Sequence, residues 1–122
     1  MILQHRVAVV TGAARGIGYA VAERFAREGA HLVLGDLDKS LLEAGAARLR
    51  EQGARVVAVA GDLALQDVAE RTIAAATAEF GRLDILVNNA GGGILRPFLE
   101  HTPDTLRATI DRNLWTCIWC SW

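Results

Sequence analysis

The sequence predicts an α/β domain, in which a parallel β-sheet is covered by helices on both faces. Short apolar, largely β-branched runs alternate with longer segments of helical period along the whole chain. The short runs are continuously apolar rather than alternating, which is typical of strands that are buried on both sides. Right-handed crossovers between such strands then restrict the topology to a few arrangements.

The first half of the chain is expected to contain repeated strand–helix units. Residues 6–11 form a strand with a Val-Ala-Val-Val core, and residues 17–28 follow with apolar side chains at helical spacing. Gly29 stands where a left-handed residue commonly ends a helix. Residues 31–36 are the second predicted strand.

The next unit begins with a helix near Ser40. Glu43 lies three residues after Ser40, so the pair resembles a capping box, and the helix is predicted to stop at Gly53. A third strand over residues 55–60 and a third helix over residues 67–80 follow.

The last predicted elements are a fourth strand over residues 84–87 and a helix that opens at Thr102. Thr102 is an N-cap candidate and Pro103 fits the first helical position. This helix is predicted to continue to Trp122. Four strands make about half of a six-stranded doubly wound sheet. We therefore expect one domain over residues 1–122, incomplete at its C-terminal end.

The composition excludes several classes of protein. The 122 residues are 52% hydrophobic with a net charge of −1, which provides no basic surface for nucleic acid or an anionic membrane. No apolar run approaches the ~20 residues of a membrane span, and no signal peptide is visible. Two cysteines cannot form a disulfide framework, so we expect a cytoplasmic protein.

A glycine-rich turn joins the first strand to the first helix. Its sequence is Thr11-Gly12-Ala13-Ala14-Arg15-Gly16-Ile17-Gly18. Gly12 permits the tight turn, Gly16 lets backbone approach a pyrophosphate and Gly18 lets the helix pack close to the strand. The helix N-terminus offers free N–H groups to phosphates. A turn without a ligand is the alternative, but the surrounding strand, helix and acidic residue favour nucleotide binding.

Asp36 ends the second strand at about the spacing from Gly18 that is typical of a ribose-binding acid. Its carboxylate would accept hydrogen bonds from the ribose hydroxyls and repel a 2′-phosphate, which favours NAD over NADP. Arg15 opposes this preference, because a guanidinium can pair with a 2′-phosphate. The position of Asp36 gives NAD the advantage. An acid in a solvated turn beside Asp38 is the alternative.

Two further segments follow the third and fourth strands. They are Asp62-Leu63 and Asn88-Asn89-Ala90-Gly91. Open α/β sheets place their ligand crevice at these carboxyl ends of strands. Asp62 is suited to accept a hydrogen bond from an adenine amino group and Leu63 to cover the ring. Each segment taken singly also fits an ordinary turn.

Together these motifs resemble the short-chain dehydrogenase/reductase family, and Asn113 in the last helix matches it as well. The resemblance spans the chain from the first strand onward. It implies a Rossmann-type three-layer sandwich with strand order 3-2-1-4. It also implies an oxidoreductase that moves a hydride between an alcohol carbon and NAD, with an alcohol or ketone substrate and a homo-oligomeric complete enzyme.

The resemblance assigns a role to each matching residue. The pyrophosphate is assigned to Gly12, Arg15, Gly16, Ile17 and Gly18, the ribose to Asp36, the adenine to Asp62 and Leu63, and the middle of the cofactor to Asn89, Ala90 and Gly91. Asn88 is expected to tie the fourth strand to its neighbours. Asn113 matches the asparagine that positions a water in the family's proton relay.

The resemblance also implies a catalytic serine and a Tyr-x-x-x-Lys pair beyond Asn113. The sequence contains one tyrosine, Tyr19, and one lysine, Lys39, and they do not form this pair. Without a proton donor and acceptor we expect these 122 residues alone to be inactive. The alternative function is a remnant that binds a nucleotide or a partner without chemistry.

A weaker resemblance is to dehydrogenases of aromatic cis-dihydrodiols. It is carried by Gly91-Gly92-Gly93, by Arg112-Asn113-Leu114-Trp115 and by Trp119-Cys120. In the same tail, Cys117 and Cys120 are predicted to be two packed thiols, and no metal site is expected. The apolar residues of this helix indicate core packing, and faces left uncovered predict self-association.

Overall fold

The computed structural model describes all 122 residues and confirms the predicted alternation of strands and helices. The elements are β1 (Val7–Thr11), α1 (Gly16–Arg27), β2 (His31–Asp36), α2 (Lys39–Glu51), β3 (Val56–Ala60), α3 (Gln66–Phe80), β4 (Ile85–Val87), a 3₁₀ turn (Phe98–Glu100), α4 (Pro103–Ile110), a π-helical turn (Asp111–Trp115) and α5 (Thr116–Ser121). None of these helices is both long and apolar enough to cross a membrane.

The four strands form one parallel sheet in the order β3-β2-β1-β4, as predicted. Val9 at the centre of β1 lies opposite Val33 on β2 and Leu86 on β4. The pairing of β4 with β1 is short and leaves β4 at an edge of the sheet. All four carboxyl ends therefore meet at one edge of the sheet.

Alternate residues of β1 face the two helical layers. Ala8 and Val10 belong to a core that also contains Ala22 of α1 and Leu42 of α2. Val7 and Val9 point to the opposite side, into a cluster that contains Ala76 of α3. Because both faces of the strand are buried, the run is continuously apolar, and the three-layer sandwich is confirmed.

The helix α2 begins near Ser40, as predicted, but its N-cap residue differs from the prediction. Asp38, not Ser40, is the N-cap, and its carboxylate accepts a hydrogen bond from the Leu41 N–H at 3.1 Å. The predicted Ser40–Glu43 capping box is therefore wrong. Aspartate caps helices as well as serine does, and Asp38 directly precedes the first helical residue, Lys39.

The C-terminal helix begins as predicted but is not one continuous α-helix. Thr102 caps it and Pro103 occupies its first turn. The π-helical turn then separates α4 from α5. Within this turn the Asn113 side chain donates a hydrogen bond to the Thr109 carbonyl at 2.8 Å. Only one side of α5 is covered, by contacts that bury Thr116 and Cys120.

Candidate functional site

A cleft lies at the carboxyl ends of the strands, where the sequence predicts the ligand crevice. It consists of two adjoining cavities of about 640 and 370 Å³ that share Gly12, Asp36, Leu37 and Gly91. The predicted site residues that line it are Gly12, Arg15, Asp36, Asp62, Leu63, Asn89, Ala90 and Gly91. Gly16, Ile17, Gly18 and Asn113 are not among the lining residues; the first three begin α1 and the fourth lies in the π-helical turn.

The three glycines of the turn after β1 differ in backbone conformation and in the space around their Cβ positions. Gly12 has a φ of +64°, and a side chain there would come within 2.9 Å of the Asn89 amide nitrogen. A Cβ on Gly18 would overlap the Gly12 carbonyl oxygen. Gly16 has a φ of +57°, but a Cβ there would meet no protein atom within 4 Å. Only Gly16 therefore leaves its Cβ position open to a ligand.

The N-terminus of α1 has unused hydrogen-bond donors. Arg15 is its N-cap residue and makes no side-chain cap, and the first turn contains no acidic residue. The first amides of a helix lack partners within the helix, and the dipole there favours negative charge. Ile17 in this turn is 76% exposed. The arrangement fits a phosphate group.

Asp36 is fixed at the end of β2 by two backbone donors. One carboxylate oxygen accepts a hydrogen bond from the Ala14 N–H and the other from the Asp38 N–H, each at 3.0 Å. These bonds tie the glycine turn to β2. A carboxylate has about four acceptor positions, so Asp36 retains lone pairs for two hydroxyl groups of a ribose.

Arg15 and Asp38 meet beside Asp36 at the mouth of the cleft. The Arg15 guanidinium donates to the Asp38 carboxylate at 3.1 Å. Asp38 thus has a role in the cleft that sequence reasoning missed. The signal was present in the second acidic residue two positions after Asp36, to which the sequence analysis assigned no role.

Thr11 joins β4 to the glycine turn, a second role that the sequence analysis missed. Its hydroxyl donates to the Val87 carbonyl at 3.3 Å and accepts from the N–H groups of Asn89 and Ala90 at 3.0 and 2.9 Å. The Asn89 amide donates to the Gly12 carbonyl at 3.2 Å. A threonine at the end of a strand does not by itself indicate such a role in a sequence.

Asn88 links the end of β4 to a neighbouring helix. Its side chain donates to the Ser121 hydroxyl of α5 at 3.0 Å. Asn89 makes the link to the glycine turn after β1. Successive residues at a strand end point to opposite faces of the sheet, so the two amides contact different layers.

The segment after β3 presents its two residues differently. The Asp62 carboxylate accepts a hydrogen bond from the Ala64 N–H at 2.9 Å and faces the cleft. Leu63 is only 4% exposed, and its side chain packs with Val68 and Cys120. Leu63 therefore contributes mainly to the core, and only its exposed edge is open to the cleft.

The Asn113 side chain holds the glycine loop after β4. Its amide nitrogen donates to the carbonyls of Gly92 and Thr109, and its oxygen accepts from the Gly92 N–H at 3.3 Å. Both amide hydrogens are thereby used within the chain. The side chain fixes the Gly92 peptide beside the cleft, and its oxygen keeps one lone pair free.

Tyr19 and Lys39 lie apart from each other on α1 and α2. The Tyr19 hydroxyl accepts a hydrogen bond from Arg48 Nε at 3.2 Å, and the Arg48 guanidinium lies 5.0 Å from the ring centre. Tyr19 thus packs α1 against α2, outside the cleft.

The titratable groups with clear shifts also lie outside the cleft. Hydrogen bonds from Arg82 and the Val7 N–H lower the pKa of Asp84 to about 2 at the amino end of the sheet. At the same end, burial, with smaller effects of Arg55 and His5, lowers the pKa of His31. Burial raises the pKa of the Cys120 thiol, and Cys117 and Cys120 are both free, as predicted for packed thiols.

Comparison with known proteins adds to this geometry. The sequence profile described as short chain dehydrogenase matches residues 6–122. The chain is 52% identical over 120 residues to 2,3-dihydroxy-2,3-dihydro-p-cumate dehydrogenase of Pseudomonas putida, which covers 98% of this chain and 46% of that protein. It is 42% identical to 1,6-dihydroxycyclohexa-2,4-diene-1-carboxylate dehydrogenase of Acinetobacter baylyi, with 96% and 45% covered.

Solved structures of a reductase and a dehydrogenase are also similar to this chain. L-sorbose reductase from Gluconobacter frateurii, complexed with NADPH and L-sorbose, superposes with a TM-score of 0.92 at 35% identity, over 99% of this chain and 47% of that one. A glucose/ribitol dehydrogenase from Brucella melitensis gives 0.93 at 39% identity, over 99% and 51%. The chain spans about half the length of the relatives that it matches.

Proposed function

The chain belongs to the short-chain dehydrogenase family, and on this premise we propose that residues 1–122 are the N-terminal, cofactor-binding part of a longer NAD-dependent oxidoreductase. They constitute one Rossmann domain unit that is completed by further residues. The observation that carries the proposal is the cleft, in which the glycine turn, Asp36 and Asp62 converge at the carboxyl ends of β1, β2 and β3.

The residues present fit a dinucleotide along this cleft. The glycine turn and the first amides of α1 would hold the pyrophosphate, Asp36 the adenosine ribose, and Asp62 with the edge of Leu63 the adenine. The segment Asn89-Ala90-Gly91 would lie against the middle of the cofactor, where small residues leave room. When bound, the nicotinamide ring supplies or accepts the hydride.

The preference for NAD over NADP rests on the Asp36 carboxylate. This carboxylate accepts hydrogen bonds from two backbone N–H groups, faces the cleft and forms no ion pair with a cationic side chain. A 2′-phosphate on the same ribose would place two anionic groups in contact, at a cost of ~1–4 kcal/mol at 4 Å depending on the local dielectric.

For the substrate we propose a ring alcohol, in particular a cyclic cis-dihydrodiol. The support is the 52% identity to the p-cumate dihydrodiol dehydrogenase and the 42% identity to the dihydroxycyclohexadiene carboxylate dehydrogenase. The complete enzyme would be a homo-oligomer in the cytoplasm. In the complete enzyme, oxidation of the alcohol would transfer a hydride to NAD and a proton to a protein group or water.

Asn113 would act on this reaction as a positioning residue. Its amide fixes Gly92, and Gly92 and Gly93 line the cleft after β4. A water of a proton relay would donate to the remaining lone pair of the Asn113 oxygen or bind a backbone carbonyl of the π-helical turn.

A second candidate for these residues on their own is nucleotide binding without turnover. Tyr19 is engaged with Arg48 outside the cleft, and Lys39 starts a different helix. Neither therefore provides a proton donor or acceptor in the cleft, a contribution worth about 10²–10⁴-fold in rate.

Calorimetric titration of the folded chain with NADH, followed by a dihydrodiol oxidation assay with NAD, tests both ideas. We expect saturable binding and no NADH formation above the uncatalysed rate. A folded chain that releases no binding heat would contradict the cofactor site. Turnover would contradict the inactivity of residues 1–122 and support a proton donor within them.

A further inference from the structure

The ion pair between Arg15 and Asp38 occupies the place where an NADP-specific contact would form. Arg15 Nη2 lies 3.1 Å from the Asp38 carboxylate, and both residues line the same cavity as Asp36. Arg15 follows Ala14, whose N–H binds the Asp36 carboxylate at 3.0 Å. A phosphate on the ribose held by Asp36 would therefore lie close to the Arg15 side chain.

Asp38 is the fixed member of this pair. One carboxylate oxygen caps α2 through the Leu41 N–H at 3.1 Å, and its own N–H donates to Asp36 at 3.0 Å. Arg15 has no comparable restraint, because its guanidinium binds only Asp38 and 70% of its side chain is exposed. The position of Asp38 therefore sets the position of the guanidinium.

We propose that Asp38 is a cofactor-specificity residue, which holds Arg15 in an ion pair and thereby prevents it from binding a 2′-phosphate. The proposal rests on the cofactor site proposed above. A free guanidinium binds phosphate through two parallel hydrogen bonds, so an arginine in this turn favours NADP. Pairing with Asp38 removes that advantage.

Variants that lack the ion pair between Arg15 and Asp38 should still fold. Exposed ion pairs contribute little to stability, so breaking this one should leave the chain folded. Asp38→Asn removes the charge and keeps an N-cap residue of equal quality. Arg15→Gln removes the cation from the same pair. Glu51→Gln is the matched control, because it removes one carboxylate from the far end of the same helix.

The test is a calorimetric double-mutant cycle on the 122-residue chain with NADH and NADPH as ligands. The measured quantity is the ratio of the two dissociation constants. Asp38→Asn should shift this ratio toward NADPH by about threefold to fivefold, because releasing Arg15 from an exposed ion pair yields only the modest free energy of that pair. In the Arg15→Gln background the same substitution should shift it by less than about twofold. Glu51→Gln should leave it unchanged.

Two outcomes would overturn the proposal while leaving the cofactor site in place. The first is a ratio that stays constant in Asp38→Asn although NADH binds, and the second is a ratio that shifts equally with and without Arg15. The second result would mean that Asp38 acts only through its own charge. A folded wild-type chain that binds neither nucleotide would contradict the proposed function, and this inference with it.

Discussion

Asp84 joins two strands at the amino end of the sheet. Its carboxylate accepts a hydrogen bond from the Val7 N–H at 2.9 Å, and Arg82 and Arg6 also contact it. Hydrogen bonds from Arg82 and Val7 lower its pKa to about 2. A group whose pKa is lowered by folding adds stability above its unfolded pKa, and that stability is lost as the pH falls toward the folded value.

We therefore expect the urea midpoint of the wild-type chain to fall as the pH drops from about 4 toward 2. Asp84→Asn should have a lower midpoint at pH 7 and a flatter dependence in that window. The control is Glu79→Gln on α3, which changes an exposed carboxylate. Equal pH dependence in wild type and Asp84→Asn would show that Asp84 does not couple ionisation to folding.

At the residue scale, the sequence predicts which positions line the cleft better than it predicts what each side chain does there. Asp36 and Asn89 lie where the motif spacing suggests. Asn88 and Asn89 are chemically identical, however, and only the orientation of each residue at the end of β4 decides which one binds the Gly12 carbonyl. The role of Asp38 also depends on the tertiary structure, because its partner Arg15 is distant in sequence.

At the scale of elements, strand and helix order follow from hydrophobic period, while ends and irregularities depend on tertiary contacts. The N-cap of α2 was assigned to the wrong residue because Asp38 and Ser40 are both good caps and local sequence does not choose between them. The π-helical turn was not predicted. The Asn113 amide in this turn donates to the Thr109 carbonyl and also binds Gly92, a residue outside the helix.

The Asn113 bonds give a prediction at this scale. Asn113→Ala should free the Gly92 peptide and lower the free energy of unfolding by about 0.5–1.5 kcal/mol, the usual net value of a hydrogen bond. Amide hydrogen exchange should accelerate at Gly92 and in the π-helical turn, and stay unchanged in β1. Arg107→Ala on α4 is the control, because Arg107 forms only a long exposed ion pair. Unchanged exchange at Gly92 would contradict the positioning role.

At the scale of the whole molecule, the C-terminal helices leave an apolar surface uncovered. Four residues at successive helical turns of α4, the π-helical turn and α5 are each about 40–50% exposed, namely Leu106, Ile110, Leu114 and Ile118. In addition, β4 is an edge strand with one side unpaired. Contiguous apolar surface and free strand edges favour association.

We expect light scattering to give a mass above 13.1 kDa that rises with concentration. Leu114→Lys should reduce the association, because it places a charge in the middle of the apolar surface. Ile2→Lys, at a residue that is 82% exposed in the N-terminal segment, should not. A monomer at every concentration would contradict the prediction.

The central claim is that the glycine turn and the start of α1 bind the pyrophosphate of the cofactor, and one pair of variants tests it directly. Gly16 and Gly81 both have positive φ, and a Cβ on either would meet no protein atom within 4 Å. Alanine at each position should therefore cost a similar ~1 kcal/mol of stability. Gly81 ends α3, away from the cleft-lining residues.

The decisive measurement is the dissociation constant of NADH for the wild type, Gly16→Ala and Gly81→Ala. The account predicts that Gly16→Ala weakens binding by at least about tenfold, because its methyl group occupies space that the phosphates need. Gly81→Ala should bind as the wild type does. Equal affinity of all three folded proteins would contradict the cofactor site at this turn.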